Sequence, residues 1–430
     1  MGNILVTSYL IDINANGSVN YYKKLDKSAT DFKIQPNGYY TYFDTRAEQY
    51  YMMNRRFEIV DSFYSRQFKT NNHELVVTEK GNYYLIADNT KRMDLTDIIP
   101  GGQEDAEVTA NVIQGFDANK KLIFNWNGFD YYKLTDAAKD INLTAKVIDY
   151  IHTNSIEIDT DSNLIISSRN IDEITKIDRK TGKIFWRFGG KNNQFSFIDD
   201  PLNGFSHQHD VRRLKNGNIL LFDNGNSHTP TVSRAVEYKL DEIKKEAKLV
   251  WEYRHSPEIF SAAMGSAQRM PNGNTLIGWG FNISFATNMY MVAATEVDSL
   301  GNVVFEMNLA ALNYSYRVYH YDAKSASAGG GAVKTSAANE SGSPEKINLT
   351  LYPNPFNPST ILKYNTPSSG PVTIKLYDAL GREIKTLVDN SSEEGTHTLS
   401  VSGTELAGGI YFVRMQTKDA VKTVKAILLK

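Results

Sequence analysis

The 430-residue chain has no cysteine, so it can build neither a disulfide framework nor a thiolate metal site, and redox chemistry does not reveal its compartment. It is also nearly without net charge, at −2, which leaves no electrostatic footprint for nucleic acid. No run approaches the ~18 apolar residues of a membrane-spanning helix, and no signal peptide precedes the first expected strand. What the chain has in quantity is Tyr (25) and Phe (20), residues that suit strands better than helices. Its length exceeds what one hydrophobic core supports, so more than one domain is expected.

A repeat organises the first two-thirds. Turn marks of one kind recur at Gly2-Asn3, Gly38-Tyr39, Gly81-Asn82, Ser162-Asn163, Gly217-Asn218 and Gly273-Asn274. Short β-prone runs follow most of them, such as Leu164 to Ser167, Ile219 to Phe222 and Thr275 to Gly278, as buried strands require. A second hairpin then follows in most repeats, at Ile11 to Tyr22, Gly115 to Trp126, Lys176 to Trp186, Tyr238 to Trp251 and Glu296 to Phe305. Two hairpins per repeat make a four-stranded sheet, and such sheets repeated around an axis make a β-propeller that leaves few exposed edges. Six marks imply six blades. The first mark leaves no room for that blade's first strand, which is expected of a clipped N-terminus, and the unpartnered segment Tyr316 to Tyr321 is expected to close the ring by pairing into blade one.

Histidines mark one end of these repeats. Counting back eight residues from the turns at Gly81, Ser162 and Gly217 lands on His73, Asn154 and His209, and His152 lies two residues before Asn154, on the same face of a strand. Imidazoles at matching ends of repeats are aimed at a common centre, the expected active site.

Composition changes after Asp322. Residues 323–346 hold almost no large apolar side chains and read as a flexible linker between a propeller over 1–322 and a second domain over 347–430. Strands expected at Leu349–Leu351, Ile361–Tyr364, Val372–Tyr377, His397–Val401 and Ile410–Gln416 give that domain the spacing of a small Ig-like β-sandwich. The fold class is therefore all-β throughout.

Two families are resembled. Leu351-Tyr-Pro-Asn-Pro-Phe-Asn-Pro358, Leu376-Tyr-Asp-Ala-Leu-Gly-Arg382 and Gly409-Ile-Tyr-Phe-Val-Arg414 resemble the C-terminal sorting domain of type IX secretion cargo. That resemblance implies export across the outer membrane, to the medium or the cell surface, with the secretion machinery as a partner. Asp149-Tyr-Ile-His-Thr-Asn-Ser155, Ile165-Ile-Ser-Ser-Arg169 and Ser206-His-Gln-His-Asp210 resemble the bacterial arylsulfate sulfotransferases, six-bladed propellers that move a sulfuryl group from an aryl sulfate to a phenol without a nucleotide donor. Carried over, His209 matches the family's nucleophilic histidine, while His73, His152, Asn154 and Arg169 match its sulfate-binding and acid/base groups. No cofactor is implied. Better-known members carry a further N-terminal β domain and a disulfide, neither of which this sequence has.

The chemistry asks for such residues. A sulfuryl group in flight carries charge on its peripheral oxygens, so catalysis is mostly positioning and electrostatics, as in phosphoryl transfer. A neutral imidazole is nucleophilic near pH 7, Arg169 offers a planar fork for two sulfate oxygens, and Asn154 can add an N–H donor. His207 competes with His209 as nucleophile, and Arg269 is a further candidate for anion binding. His228, His255, His320 and His397 fall outside the register and read as structural or surface groups.

Other readings have less support. Asp159-Thr-Asp161-Ser-Asn163 begins like a calcium loop, but Leu164 stands where the sharp-turn glycine belongs, so a solvated turn is expected. Zinc on the three histidines is disfavoured because Arg169 would be repelled by it. The rival function is a non-catalytic secreted propeller that binds a ligand or protein partner.

Overall fold

The computed structural model describes residues 8–13, 19–25, 28–282, 290–310, 313–321, 348–352, 354, 356–366, 368–378, 382–418 and 421–429. The expected linker and the Gly2-Asn3 mark lie outside them. Among the described residues the regular structure is strand, with three short 3-10 turns and no α-helix. The chain divides into two compact units, residues 1–333 and 334–430.

The first unit is a run of antiparallel sheets, each made of strands taken in sequence order. Ala29–Ile34 leads a four-stranded sheet, as do Thr153–Ile158 and Ser266–Arg269. Lys69–Val77 and His209–Arg213 lead sheets of the same plan that gain one parallel outer strand each, Val147–Asp149 and Ser196–Ile198. A two-stranded hairpin, Ser8–Ile13 with Val19–Leu25, precedes them.

The turn marks explain this regularity. The residue at each described mark has a positive φ, from 67° at Ser162 to 90° at Gly273. Its N–H donates back three residues, and that residue's N–H donates to the carbonyl just past the mark, as with Gly217 to Leu214 at 2.9 Å and Leu214 to Asn218 at 2.8 Å. A type I turn closed by a left-handed residue matches the twist of a hairpin, and glycine takes that conformation without steric cost.

Burial is spread in layers between successive sheets. Phe43, Tyr50 and Phe63 pack against Leu75 and Leu85. Ile86 and Ile113 meet Ile156 and Ile166, and Ile174 and Phe188 meet Val211 and Leu221. Phe222 and Ala235 then meet Ile277 and Trp279. The first hairpin joins the series through Leu10 and Leu25 on Tyr42 and Met53. A long chain therefore avoids a single oversized core.

Residues 316–321 run beside Ser266–Arg269 without forming a strand. Side chains hold them there: Ser266 Oγ accepts from Val318 N at 3.0 Å, and Gln268 Oε1 accepts from His320 N at 2.6 Å. The expected pairing into blade one falls partly on the first residues of the chain, outside those described.

In the second unit, Asn348–Tyr352, Ser359–Thr366 and Gly395–Ser402 form one sheet, and Gly370–Asp378, Glu383–Ser392, Gly409–Thr417 and Val421–Leu428 form another. Leu362 and Val401 from the first share a core with Ile374, Val413 and Met415 from the second. Two of these strands, Glu383–Ser392 and Val421–Leu428, go beyond the sequence expectation.

Candidate active site

In four leading strands the ladder slips at one level: between Thr30 and Lys33, Thr70 and Leu75, Thr153 and Ser155, and His209 and Arg212. A bulge re-aims the side chains it releases, and bulges recur beside active sites. Asp31, His73, Glu74, Asn154 and Asp210 all sit within these slips. Carboxylates and hydroxyls there also cap the neighbouring sheet: Asp31 accepts from Leu75 N, Ser155 from Val211 N, and Asp210 from Ala267 N.

Three imidazoles are each held by Nδ1. For His73 the acceptor is Asn71 Oδ1 at 2.7 Å, and for His152 it is Asp149 Oδ2 at 2.6 Å. His209 Nδ1 lies 2.7 Å from Asn224 Oδ1 and 3.0 Å from the His207 carbonyl. Both asparagine orientations are fixed elsewhere, since Asn71 Nδ2 donates to Asp88 at 2.8 Å and Asn224 Nδ2 donates to the carbonyls of Ser261 and Met264 at 2.8 and 3.0 Å. The acceptors assign the proton to Nδ1 in each ring and leave Nε2 for chemistry. At His209 that nitrogen receives only a long contact, 3.3 Å from Met264 N–H.

The rings are neighbours. His73 and His152 cross edge to face with centroids 4.6 Å apart, and Tyr316 stands edge-on to His73 at 5.9 Å. Burial, then the charges of His152, His209, Arg317 and Arg169, hold His73 well below the ordinary histidine pKa. Burial and Arg169 do the same to His209, although Asn224 opposes them. Arg169 follows the strand Leu164–Ser168 in a 3-10 turn, donating to Asn170 Oδ1 at 2.7 Å and to the Ala262 carbonyl at 3.1 Å. It forms no ion pair among the described residues, although the charges of Asp140, Asp172 and Asp149 reach it.

Arg317 locks the level just beneath. Its guanidinium donates to Asp31 and Glu74 at 3.0 Å each and to the Asn154 carbonyl at 2.6 Å. Tyr316 Oη, one residue earlier, donates to the His73 carbonyl at 3.1 Å.

Some expected residues stand differently. His152 lies before its strand with φ 54°, so a left-handed kink, rather than strand alternation, aims it. Asn154 is fully buried, giving an N–H to the Gln208 carbonyl at 2.7 Å while its Oδ1 has no hydrogen-bond partner among the described residues; it ties two sheets together. His207 is fully buried with its ring nitrogens 3.0 Å from Asp140 and 3.1 Å from Asp172, though neither contact has hydrogen-bond geometry. Arg269 is engaged by Glu237 at 2.8 Å, Thr275 and the Trp251 ring, away from the three imidazoles. The turn after Asp159 is exposed at Thr160, Asp161 and Ser162, as expected, while Asp159 itself is buried and paired with Lys176 and Arg213 at 2.9 Å. Among the described residues no three His, Cys, Asp or Glu side chains converge as metal ligands.

Residues 4–319 match the family model for arylsulfotransferase (ASST). The chain belongs to the arylsulfotransferase family. That membership supports aryl sulfate transfer in general terms. Residues 350–430 match the secretion system C-terminal sorting domain of the type IX route, which indicates that this arylsulfotransferase is exported across the outer membrane to the surface or the medium. No helix among the described residues is long and apolar enough to cross a membrane.

No curated protein matches the chain. Among solved structures, a protein of unknown function from Bacteroides caccae is 11% identical with a TM-score of 0.44, over 70% of this chain and 94% of its own. Virginiamycin B lyase from Staphylococcus aureus is 10% identical with a TM-score of 0.37, over 70% and 76%. PorZ, a component of the type-IX secretion system of Porphyromonas gingivalis, is 9% identical with a TM-score of 0.30, over 97% and 77%. Similarities this weak carry neither fold nor activity across.

Sequence reasoning missed Asn224, Asp149, Tyr316 and Arg317. A signal for the first was available, because counting forward seven residues from Gly81, Ser162 and Gly217 gives Asp88, Arg169 and Asn224. Arg169 and Asn224 directly follow the second strand of their sheets, and Asp88 lies midway along Tyr83–Met93, where it receives Asn71.

Proposed function

We infer that this arylsulfotransferase moves a sulfuryl group from an aryl sulfate to a phenol, without a nucleotide donor, through a sulfohistidine at His209. The reading includes a six-bladed propeller over residues 1–322, a linker over 323–346 and a removable sorting domain over 347–430. The single observation that carries it is the set of three Nδ1-anchored imidazoles beside an arginine that forms no ion pair among the described residues.

Each residue then has a task. Arg169 holds two sulfate oxygens and takes up charge that grows as the bond to the aryl oxygen breaks. His209 is buried and neutral, so its Nε2 lone pair forms the N–S bond while the S–O bond electrons leave with the phenolate. His152, its Nδ1 proton held by the Asp149 carboxylate, enters the cycle with a second proton on Nε2, gives that proton to the departing phenolate and takes one back from the acceptor phenol. His73, a neutral ring whose Nδ1 proton is spent on Asn71, packs edge to face against His152 and shapes the space without donating to the sulfuryl oxygens. The acceptor oxygen finally attacks sulfur and the N–S pair returns to His209. Asn154 acts by holding the sheets in register, and Arg269 and His207 are given no part in the chemistry.

The test is turnover of 4-nitrophenyl sulfate by the purified protein with and without added phenol. Nitrophenol release should depend on the acceptor and should fall on the order of 10³-fold or more in H209A. Release into water alone would make the protein a sulfatase, and no release at all would favour the non-catalytic binding module.

A further inference from the structure

His209 and His152 differ in the oxygen that holds Nδ1. For His152 it is a carboxylate, whereas for His209 it is the carboxamide of Asn224 together with the His207 carbonyl, all neutral. Asn224 is fully buried, and its amide N–H groups are spent on Ser261 and Met264, so its Oδ1 cannot rotate away from the ring. The same stretch of chain supplies the Ala262 carbonyl that receives Arg169. One short segment, residues 261–264, thus sets both the nucleophile and the sulfate-binding cation.

We propose that Asn224 is a positioning residue that keeps the Nδ1 proton on His209 through both half-reactions, so that the sulfohistidine discharges with a neutral imidazole as leaving group. The proposal rests on His209 being the nucleophile. When Nε2 forms the N–S bond, the phenolate departs with the S–O electron pair and the ring becomes a cation that still carries its Nδ1 proton. In the second step the acceptor oxygen bonds to sulfur, the phenolic proton passes to His152, and the N–S electrons return to Nε2. The ring leaves neutral only if its Nδ1 proton has stayed in place. A carboxylate at position 224 would draw that proton and turn the leaving group towards imidazolate, which departs far less readily. A neutral acceptor orients the ring without that penalty.

The experiment separates the two half-reactions in the full-length protein. Mixing enzyme with 4-nitrophenyl sulfate alone reads sulfohistidine formation as a burst of nitrophenol; adding phenol afterwards reads discharge. In N224D formation should stay within about threefold of the parent while discharge slows by about tenfold or more, so the sulfated enzyme accumulates. The second oxygen in N224D meets the Ser261 and Met264 carbonyls and destabilises that variant, so N224A is measured beside it with thermal unfolding as a check on fold. N224A loosens the ring without adding charge, and there formation should slow by about tenfold with discharge within about threefold of the parent. Equal slowing of both steps in either variant, or discharge at the parent rate in N224D, overturns the proposal. A parent enzyme that gives no burst removes its foundation instead, and so marks failure of the nucleophile assignment itself.

Discussion

Counting back from the turns leads to His73, Asn154 and His209, with His152 two residues before Asn154, and the three imidazoles are each oriented by an oxygen on Nδ1. The count reached His73 and His209 because bulged leading strands place equivalent positions at one level, but from Ser162 it fell on the structural Asn154, and a kink before the strand aims His152. It could not tell His209 from His207, whose difference lies in backbone conformation: His207 has φ 56° and points its ring at Asp140 and Asp172, while its carbonyl turns to His209. Nor did it reveal Arg317, because an arginine in a segment that forms no strand has no register to be read against. The buried neutral rings have a consequence for stability. His73 and His209 are held well below 6.5 when folded, whereas the unfolded chain binds protons on both near that value. Stability from these sites is therefore full above pH 6.5 and is lost as pH falls below it. Urea unfolding should show a lower midpoint at pH 5.5 than at pH 7.5, with a smaller drop in H209N; a drop of equal size in both proteins would mean that His209 titrates freely in the fold.

At the level of elements, the turns were the most legible feature. Every described mark proved to be a hairpin turn with a left-handed residue, and Ser162 shows that the backbone geometry, not glycine itself, defines the mark. Strands bearing exposed or charged residues were not legible. Glu383–Ser392 is exposed along most of its length, so it shows no alternation to read, and Val147–Asp149 and Ser196–Ile198 are short parallel additions that need a neighbouring strand to exist. The segment at 316–321 is the element on which the site depends most. Its Arg317 joins Asp31, Glu74 and the Asn154 carbonyl, and Asp210 and Arg212 complete the same buried network. Removing one partner of a buried ionic group leaves charges uncompensated, at a cost of roughly 3–5 kcal/mol. R317M should therefore unfold at clearly lower denaturant and lose most of its activity under conditions where it is still folded, because Tyr316 and Asn154 lose their shared anchor. Parent-like unfolding and turnover would show that the segment does not set the site.

Seen whole, the molecule divides its labour between two units. The first spreads its burial over layers between sheets and so can leave polar groups at the centre, where the leading strands meet; the second is a compact two-sheet unit whose match to a type IX sorting domain accounts for export. Family membership supports aryl sulfate transfer in general terms, and the arrangement of His209, Asn224 and Arg169 is the basis of the route proposed through His209. The most direct test is to incubate the protein with an isotopically labelled aryl sulfate in the absence of acceptor, quench it, and map the label by peptide mass spectrometry. One sulfuryl group is expected on His209, lost when phenol is added. Label on His207 or His73, or acceptor-dependent transfer with no labelled histidine, would contradict it.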